Sequence, residues 1–207
     1  MKKIMIVDDH HIVREGIKGL IQKHSNYTVT HTISSIGEMF LTLETSMPDL
    51  LLLDLKLNDG DGITAAIQLK RKYPTLKILI LSGFIEPEMA AEAKCIGVEG
   101  YVLKTVDFKK LIDAIEAVLN GSTIYDASVD VKTNDTFPLK ALSNREGELI
   151  RLMALGMTNK EIADNMDIAE KTARNYTANL FRKIKVDNRS EAVGYYMRHC
   201  KIHTNRV

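Results

Sequence analysis

Asp49-Leu50-Leu51-Leu52-Leu53-Asp54 is the stretch whose reading decides the fold. A wholly apolar run this short, opened and closed by acids, predicts a strand buried on both faces of a parallel sheet, because a half-exposed strand would alternate instead. Working outward, the same pattern repeats. Ile4–Val7 is a similar run toward the N-terminus, and Tyr27–Thr32 is a β-branched run that follows the turn signal Ser25-Asn26. Lys77–Leu81 and Gly100–Leu103 supply two more toward the C-terminus. Between the runs, apolar residues recur at helical spacing: Ile12, Ile17, Leu20 and Ile21, then Met39, Phe40 and Leu43, then Ile63, Ile67 and Leu69 before the stop at Pro74. Pro87 opens a helix to about Ile96. Asp107 caps another that carries Leu111, Ile112, Ile115 and Leu119 and closes at Asn120-Gly121. Five strands, each followed by a helix, predict an α/β unit over residues 1–121 with a five-stranded, parallel, doubly wound sheet.

Ligands of such sheets bind beyond the carboxyl ends of the strands. Those ends here carry Asp8-Asp9, Asp54, Ser82 and Lys104. Taken singly, an acid after a strand is more often a cap or loop residue, and a lysine there is usually solvated. Taken together, three carboxylates at one sheet edge repel unless a cation lies among them. A divalent ion with oxygen preference, Mg²⁺, resolves the conflict and gives phosphate oxygens something to bridge to. Lys104 can neutralise a further oxygen and Ser82 can donate to another.

With Gly83 after the serine and Tyr101 before the lysine, this set resembles the receiver domain of two-component response regulators, a flavodoxin-like fold. The resemblance implies that Asp54 accepts a phosphoryl group from a sensor histidine kinase. It implies Mg²⁺ bound by Asp9, Asp54 and the backbone carbonyl of Lys56, with Asp8 helping to hold it. Lys104 would pair with the phosphoryl oxygens, Ser82 would move toward them, and Tyr101 would turn inward as the switch. Two positions depart from the family pattern: Asn58 and Thr105 stand where proline is common. Neither is a reacting group. Lys56 places a further cation near the phosphoacceptor.

Beyond residue 121 the periodicity fades, and 122–139, with its Asp, Ser, Thr, Asn and proline, reads as a linker. The remainder, 140–207, reads as all helical. Ser143 and Glu146 form a capping box, and the helix they open ends at Gly156. Thr158 caps a second helix reaching about Met166, and Asp167-Ile168 turns tightly into a third. On that third helix Ala173, Thr177, Leu180, Phe181 and Ile184 share one face, with Lys171, Arg174, Asn175, Ala178 and Arg182 opposite. A fourth starts near Ser190 and carries Ala192, Val193 and Tyr196. Helix, tight turn and a basic outer face suit entry into the major groove of double-stranded DNA, with Lys160, Lys171, Lys183 and Arg189 placed for phosphates. A plain bundle with a solvated basic face is the alternative.

Leu142–Glu146, Gly156–Ala163, Lys171-Thr172, Lys183–Val186 and Arg189–Ala192 are together similar to the LuxR-type helix-turn-helix. With the receiver motifs they identify the chain as similar to the NarL/FixJ group over nearly its whole length. The group implies transcriptional control and a homodimer on DNA through the last helix, with Val193 and Tyr196 as candidates. Ala169, Ala173 and Tyr176 depart from the usual Ser or Thr, Val and His.

The bulk numbers agree. Residues 1–121 hold 14 Lys and Arg against 16 Asp and Glu, net −2, while 140–207 hold 13 against 8, net +5, which fits a tail that meets a polyanion, with chance as the plain alternative. Apolar runs as short as Leu50–Leu53 cannot span a bilayer, the N-terminus lacks signal-peptide features, and Cys95 and Cys200 form no recognisable spacing, so a cytoplasmic protein is expected. His10-His11 and His199-Cys200 with His203 read as loop and tail residues rather than metal sites. A haloacid-dehalogenase-like phosphatase also uses an aspartyl phosphate, but its two acids lie one residue apart on the first strand, which Asp8-Asp9-His10 does not match. A receiver that works without phosphorylation is the other alternative, against which the intact acidic set argues.

Overall fold

Every residue of Leu50–Asp54 is buried, and their strand lies third in a parallel sheet of six. The computed structural model describes residues 1–84, 86–125 and 142–200, apart from the side chains of 88, 144 and 198–200. The chain divides into two compact units, Met1–Val131 and Lys132–Val207. The first contains, in order, β1 (Lys3–Val7), α1 (His11–His24), β2 (Thr28–Ile33), α2 (Ile36–Thr45), β3 (Leu50–Asp54), β4 (Lys56–Leu57), β5 (Gly60–Asp61), α3 (Gly62–Lys72), β6 (Lys77–Ser82), α4 (Pro87–Cys95), β7 (Gly100–Leu103), α5 (Phe108–Leu119) and β8 (Ile124–Tyr125).

The main sheet runs β2-β1-β3-β6-β7-β8, and β4 pairs with β5 in a separate small antiparallel ribbon. Side chains alternate across it. Ile4, Ile6, Leu50, Leu52, Leu79, Leu81 and Val102 pack with Ile17 and Ile21 of α1 and with Leu111, Ile115 and Val118 of α5. Met5, Leu51, Leu53, Ile78 and Ile80, equally buried, point to the face left to α2, α3 and α4. Both faces are covered, which is why these strands are uniformly apolar. Each fully buried Leu or Ile contributes about 2 kcal/mol of transfer free energy.

Three expectations need correction. The sheet has a sixth strand: Ile124–Tyr125 pairs with Gly100–Tyr101, inside the stretch read as linker. Two residues carry no periodicity, and the pairing is fixed at a distance, by Ile124 N–H donating to the Glu99 carbonyl and the Tyr125 hydroxyl donating to the Val98 carbonyl. The rest of that linker falls largely outside the described residues. Ile12, counted with Ile17, Leu20 and Ile21 in the helical spacing of α1, is 85% exposed. The ribbon after Asp54 was also unforeseen, because Lys56-Leu57 and Gly60-Asp61 pair only when the loop folds back on itself.

Among the described residues the second unit contains α6 (Asn144–Ala154), α7 (Asn159–Asn165), α8 (Glu170–Ile184) and α9 (Arg189–Cys200). Two capping boxes open α6 and α7, Ser143 with Glu146 and Thr158 with Glu161, each supplying acceptors for orphan N–H groups. Asp167, at φ 51°, makes the tight turn before α8. Leu149, Ile150, Leu152, Met153, Ile162, Ala163, Ala173, Leu180, Ile184, Ala192 and Tyr196 are buried.

Candidate functional site

The parallel register puts the ends of β1, β3, β6 and β7 on one edge, and the chemistry gathers there. Asp8 and Asp54 are 1% and 3% exposed. The Lys104 ammonium lies between them, 2.6 Å from Asp8 Oδ2 and 2.8 Å from Asp54 Oδ2. Ligand atoms of Asp8, Asp9, His10 and Asp54 all lie within 4.8 Å of one another. Asp8 Oδ1 accepts from the His10 amide at 2.8 Å. Asp8 Oδ2 and Asp9 Oδ1 are buried without a well-aligned hydrogen bond, although each approaches a nitrogen at 2.6 Å, Lys104 Nζ and His10 Nδ1 respectively.

Gly62 is what lets the loop close over the site. Its N–H donates to the Leu55 carbonyl at 2.8 Å, and a Cβ there would lie 2.3 Å from the Asp54 carbonyl oxygen. Only glycine permits so close a backbone approach. Asp61 then caps α3 by accepting from the Thr64 amide. The Lys56 amide turns back to within 3.4 Å of Asp54 Oδ1, while its ammonium reaches Glu86 Oε1 at 2.8 Å.

Burial pushes the Asp54 carboxyl above its ordinary pKa, Lys104 offsets part of that, and Asp8 adds to the rise. Burial alone would depress the Lys104 ammonium, but its close contacts with the Asp54 and Asp8 carboxylates prevail and hold its pKa above the usual lysine value. Asp54 is therefore a carboxylate that gains from any added positive charge. The buried oxygens fit a hard divalent cation that prefers oxygen donors.

Ser82 and Tyr101 are both buried. The Ser82 hydroxyl donates to the Phe84 carbonyl at 2.8 Å and accepts from the Phe84 amide at 3.3 Å. Tyr101 lies wholly inside, and burial, with Glu86 nearby, raises its phenol pKa. Arg14, missed in the sequence, donates to the Asp8 carbonyl and braces the loop from α1. A lone arginine in the first helical turn after a carboxylate pair was the signal available.

In the helical unit, Lys171, Arg174, Asn175, Ala178, Arg182 and Lys183 of α8 and Lys160 of α7 are exposed, and Thr172 is half-buried. Arg174 is paired with Glu170 at 2.5 Å, Arg182 donates to Asn179, and Lys183 is paired with Glu146 at 2.7 Å. That last contact, foremost among the causes, holds the Glu146 carboxyl below its usual pKa. Two placements differ from expectation. Arg189, expected at a phosphate, is part-buried and donates to the carbonyls of Met153 and Met157, clasping the end of α6; burial lowers its pKa. Tyr196, expected at a dimer interface, is 6% exposed, because the 192/196 spacing turns it with Ala192 into its own unit's core. Val193 is half-buried.

Residues 4–116 match the response regulator receiver domain, and residues 140–196 match the LuxR family of bacterial regulatory proteins. The response regulator protein VraR of Staphylococcus aureus is 34% identical over 202 residues, covering 95% of this chain and 97% of VraR. A structure of the RcsB response regulator of Salmonella typhimurium superposes with a TM-score of 0.62 at 27% identity, covering 94% of this chain and 98% of that one. A structure of a RcsB–DNA complex superposes at 0.60 with 28% identity, covering 96% and 98%.

Proposed function

Since the chain belongs to the response regulators that join a receiver domain to a LuxR-type DNA-binding domain, we propose that Asp54 is its phosphoacceptor and that a sensor histidine kinase is the donor. The chain is a two-component regulator that binds DNA, not an enzyme in the ordinary sense; slow self-dephosphorylation is the most catalysis this reading allows it. The observation that carries the reading is the Lys104 ammonium between Asp8 and Asp54, with Asp9 beside them.

In this reading Asp9, Asp54 and the Lys56 carbonyl hold Mg²⁺, with Asp8 behind them. The ion supplies charge neutralisation for the transferred phosphoryl oxygens. Lys104 exchanges one carboxylate contact for a phosphoryl oxygen. Ser82 turns its hydroxyl from the Phe84 carbonyl toward the same group, and buried Tyr101 registers the change. Charge gained at one strand end biases a two-state element.

Lys171, Thr172, Arg174, Asn175, Ala178 and Arg182 are the α8 residues proposed for DNA, with Lys160 and Lys183 on phosphates. We propose a homodimer on DNA through the exposed part of α9 near Val193. Among the described residues no helix is long and apolar enough to cross a membrane, and a cytoplasmic location is part of the proposal. So is the division into a receiver, a linker and a DNA-binding domain from residue 140.

The test is incubation with acetyl phosphate and Mg²⁺ beside Asp54→Ala, read by intact mass. A gain of one phosphoryl group that needs Mg²⁺ and is absent from the variant is expected. A gain that persists in Asp54→Ala would move the acceptor elsewhere.

A further inference from the structure

Lys56 borders the pocket but faces away from it. Its amide is 3.4 Å from Asp54 Oδ1, yet its ammonium lies 2.8 Å from Glu86 Oε1 and 5.9 Å from the centre of the Phe84 ring. Glu86 is the N-cap residue of α4, but its side chain makes no capping bond. Its carboxylate is turned to Lys56 instead. Phe84 is 72% exposed, and its carbonyl takes the Ser82 hydroxyl proton at 2.8 Å. Two groups able to serve a phosphoryl oxygen, one ammonium and one hydroxyl, are thus both held by the β6–α4 connection, Lys56 by Glu86 and Ser82 by Phe84.

A phosphoryl group brings between about −1.5 and −2 of charge. Mg²⁺ and Lys104 together would bring +3 against Asp8, Asp9 and the phosphoryl group, which leaves a shortfall of about −1 once the group carries its full charge. The Lys56–Glu86 pair is on the surface, with the lysine side chain 71% exposed. Exposed pairs contribute little, whereas an ammonium on a phosphoryl oxygen makes a charge-assisted bond. The exchange of partners is therefore downhill once the phosphoryl group is present.

We propose that Lys56 is a second phosphoryl-binding cation, stored on Glu86 in the unphosphorylated protein and drawn onto the phosphoryl oxygens as the group reaches Asp54. This rests on the reading of Asp54 as phosphoacceptor. In the transfer an Asp54 carboxylate oxygen attacks phosphorus and the donor's bond to phosphorus breaks. With phosphoramidate as donor, the nitrogen takes protons from solvent and leaves as ammonium. Lys56 neither gives nor takes a proton and forms no covalent bond; it stabilises charge. Its departure also frees Glu86 at the start of α4.

The experiment is the initial rate of mass gain of the full chain with phosphoramidate and Mg²⁺, for wild type, Lys56→Gln, Lys56→Arg and Glu86→Gln. Lys56→Gln is expected to slow phosphorylation about three- to tenfold, and Lys56→Arg to restore most of the rate. Glu86→Gln, which releases the ammonium from its store, is expected to run at or above the wild-type rate. If the pair only ties the loop to α4, either Gln variant breaks the tie and both slow alike. That result, or a wild-type rate in Lys56→Gln, overturns the role. Mass gain in wild type with no difference among variants removes only the role of Lys56. No mass gain in wild type, with this donor or a kinase, removes the phosphoacceptor reading and this role with it.

Discussion

Replacing Asp54 by Asn should make the protein more stable while abolishing its phosphorylation. The Asp54 carboxylate is 3% exposed and shares the pocket with Asp8 and Asp9, ligand oxygens within 4.8 Å. At an effective dielectric of about 20, each such like-charge contact costs about 3.5 kcal/mol. Against these stands one attraction, to Lys104 at 2.8 Å, of about 6 kcal/mol on the same scale. The neutral amide escapes two repulsions, forfeits one attraction and avoids the desolvation of a buried charge. A net gain of about 1–2 kcal/mol follows at neutral pH, or about 4–8 °C in the midpoint of the receiver's thermal transition. The pH dependence has a definite sign. The folded-state pKa of Asp54 is raised, so its ionisation weakens the fold once the pH exceeds that value. The penalty disappears as the pH falls through the folded pKa toward the unfolded value of about 3.9. The advantage of Asn should therefore be full at pH 7 and fade in acid. Mg²⁺ should narrow it, because an ion bound only by the folded wild type stabilises it by about 2.7 kcal/mol at a hundred times its dissociation constant. Calorimetry of both proteins at two pH values, with and without Mg²⁺, measures all of this. An Asn variant no more stable than wild type at pH 7 without Mg²⁺ would refute the argument that the pocket is electrostatically loaded.

Gly62→Ala should cost more than 2 kcal/mol in urea unfolding, by the overpacking scale of about 1–3 kcal/mol, and slow phosphorylation, since its Cβ would fall 2.3 Å from the Asp54 carbonyl oxygen. Ala169 caps α8 without a side-chain bond at φ −66° and ψ 144°, a conformation suited to a capping hydroxyl. Ala169→Ser should therefore raise the stability of the helical unit by about 1 kcal/mol in chemical denaturation. Arg189→Ala should destabilise that unit by about 2 kcal/mol, through the loss of both guanidinium bonds, although the Met153 carbonyl keeps the Gly156 amide, and should leave the salt dependence of DNA binding nearly unchanged. Lys171→Ala should do the reverse, lowering the slope of log K against log salt by about 1 at unchanged stability; anisotropy titrations at several salt concentrations separate the two.

Much of this protein was legible in its sequence because its information there is local. Leu50–Leu53, Ile4–Val7 and Lys77–Leu81 are apolar on both faces, and a strand with two buried faces has few other readings. Asp107, Ser143 and Thr158 announce helix starts because a cap bonds to residues only three positions away. Asp8, Asp9, Asp54 and Lys104 were found by position alone: parallel strands bring their carboxyl ends together whatever the sequence between them. The tertiary structure decided what depends on partners distant in the chain. Ile124–Tyr125 is a strand because Gly100 and Tyr101 offer an edge to pair with. Arg189 became a clasp because two carbonyls, one at the end of α6 and one in the connection after it, lie within reach, 36 and 32 residues earlier in the chain. Tyr196 went inward because the packing of α9 rotated it there, and Lys56 faces Glu86 because the loops after β3 and β6 meet at the sheet edge. A cationic side chain carries no mark of which anion it will meet; charge acts at any sequence separation, and only the folded chain sets the distances that choose among partners.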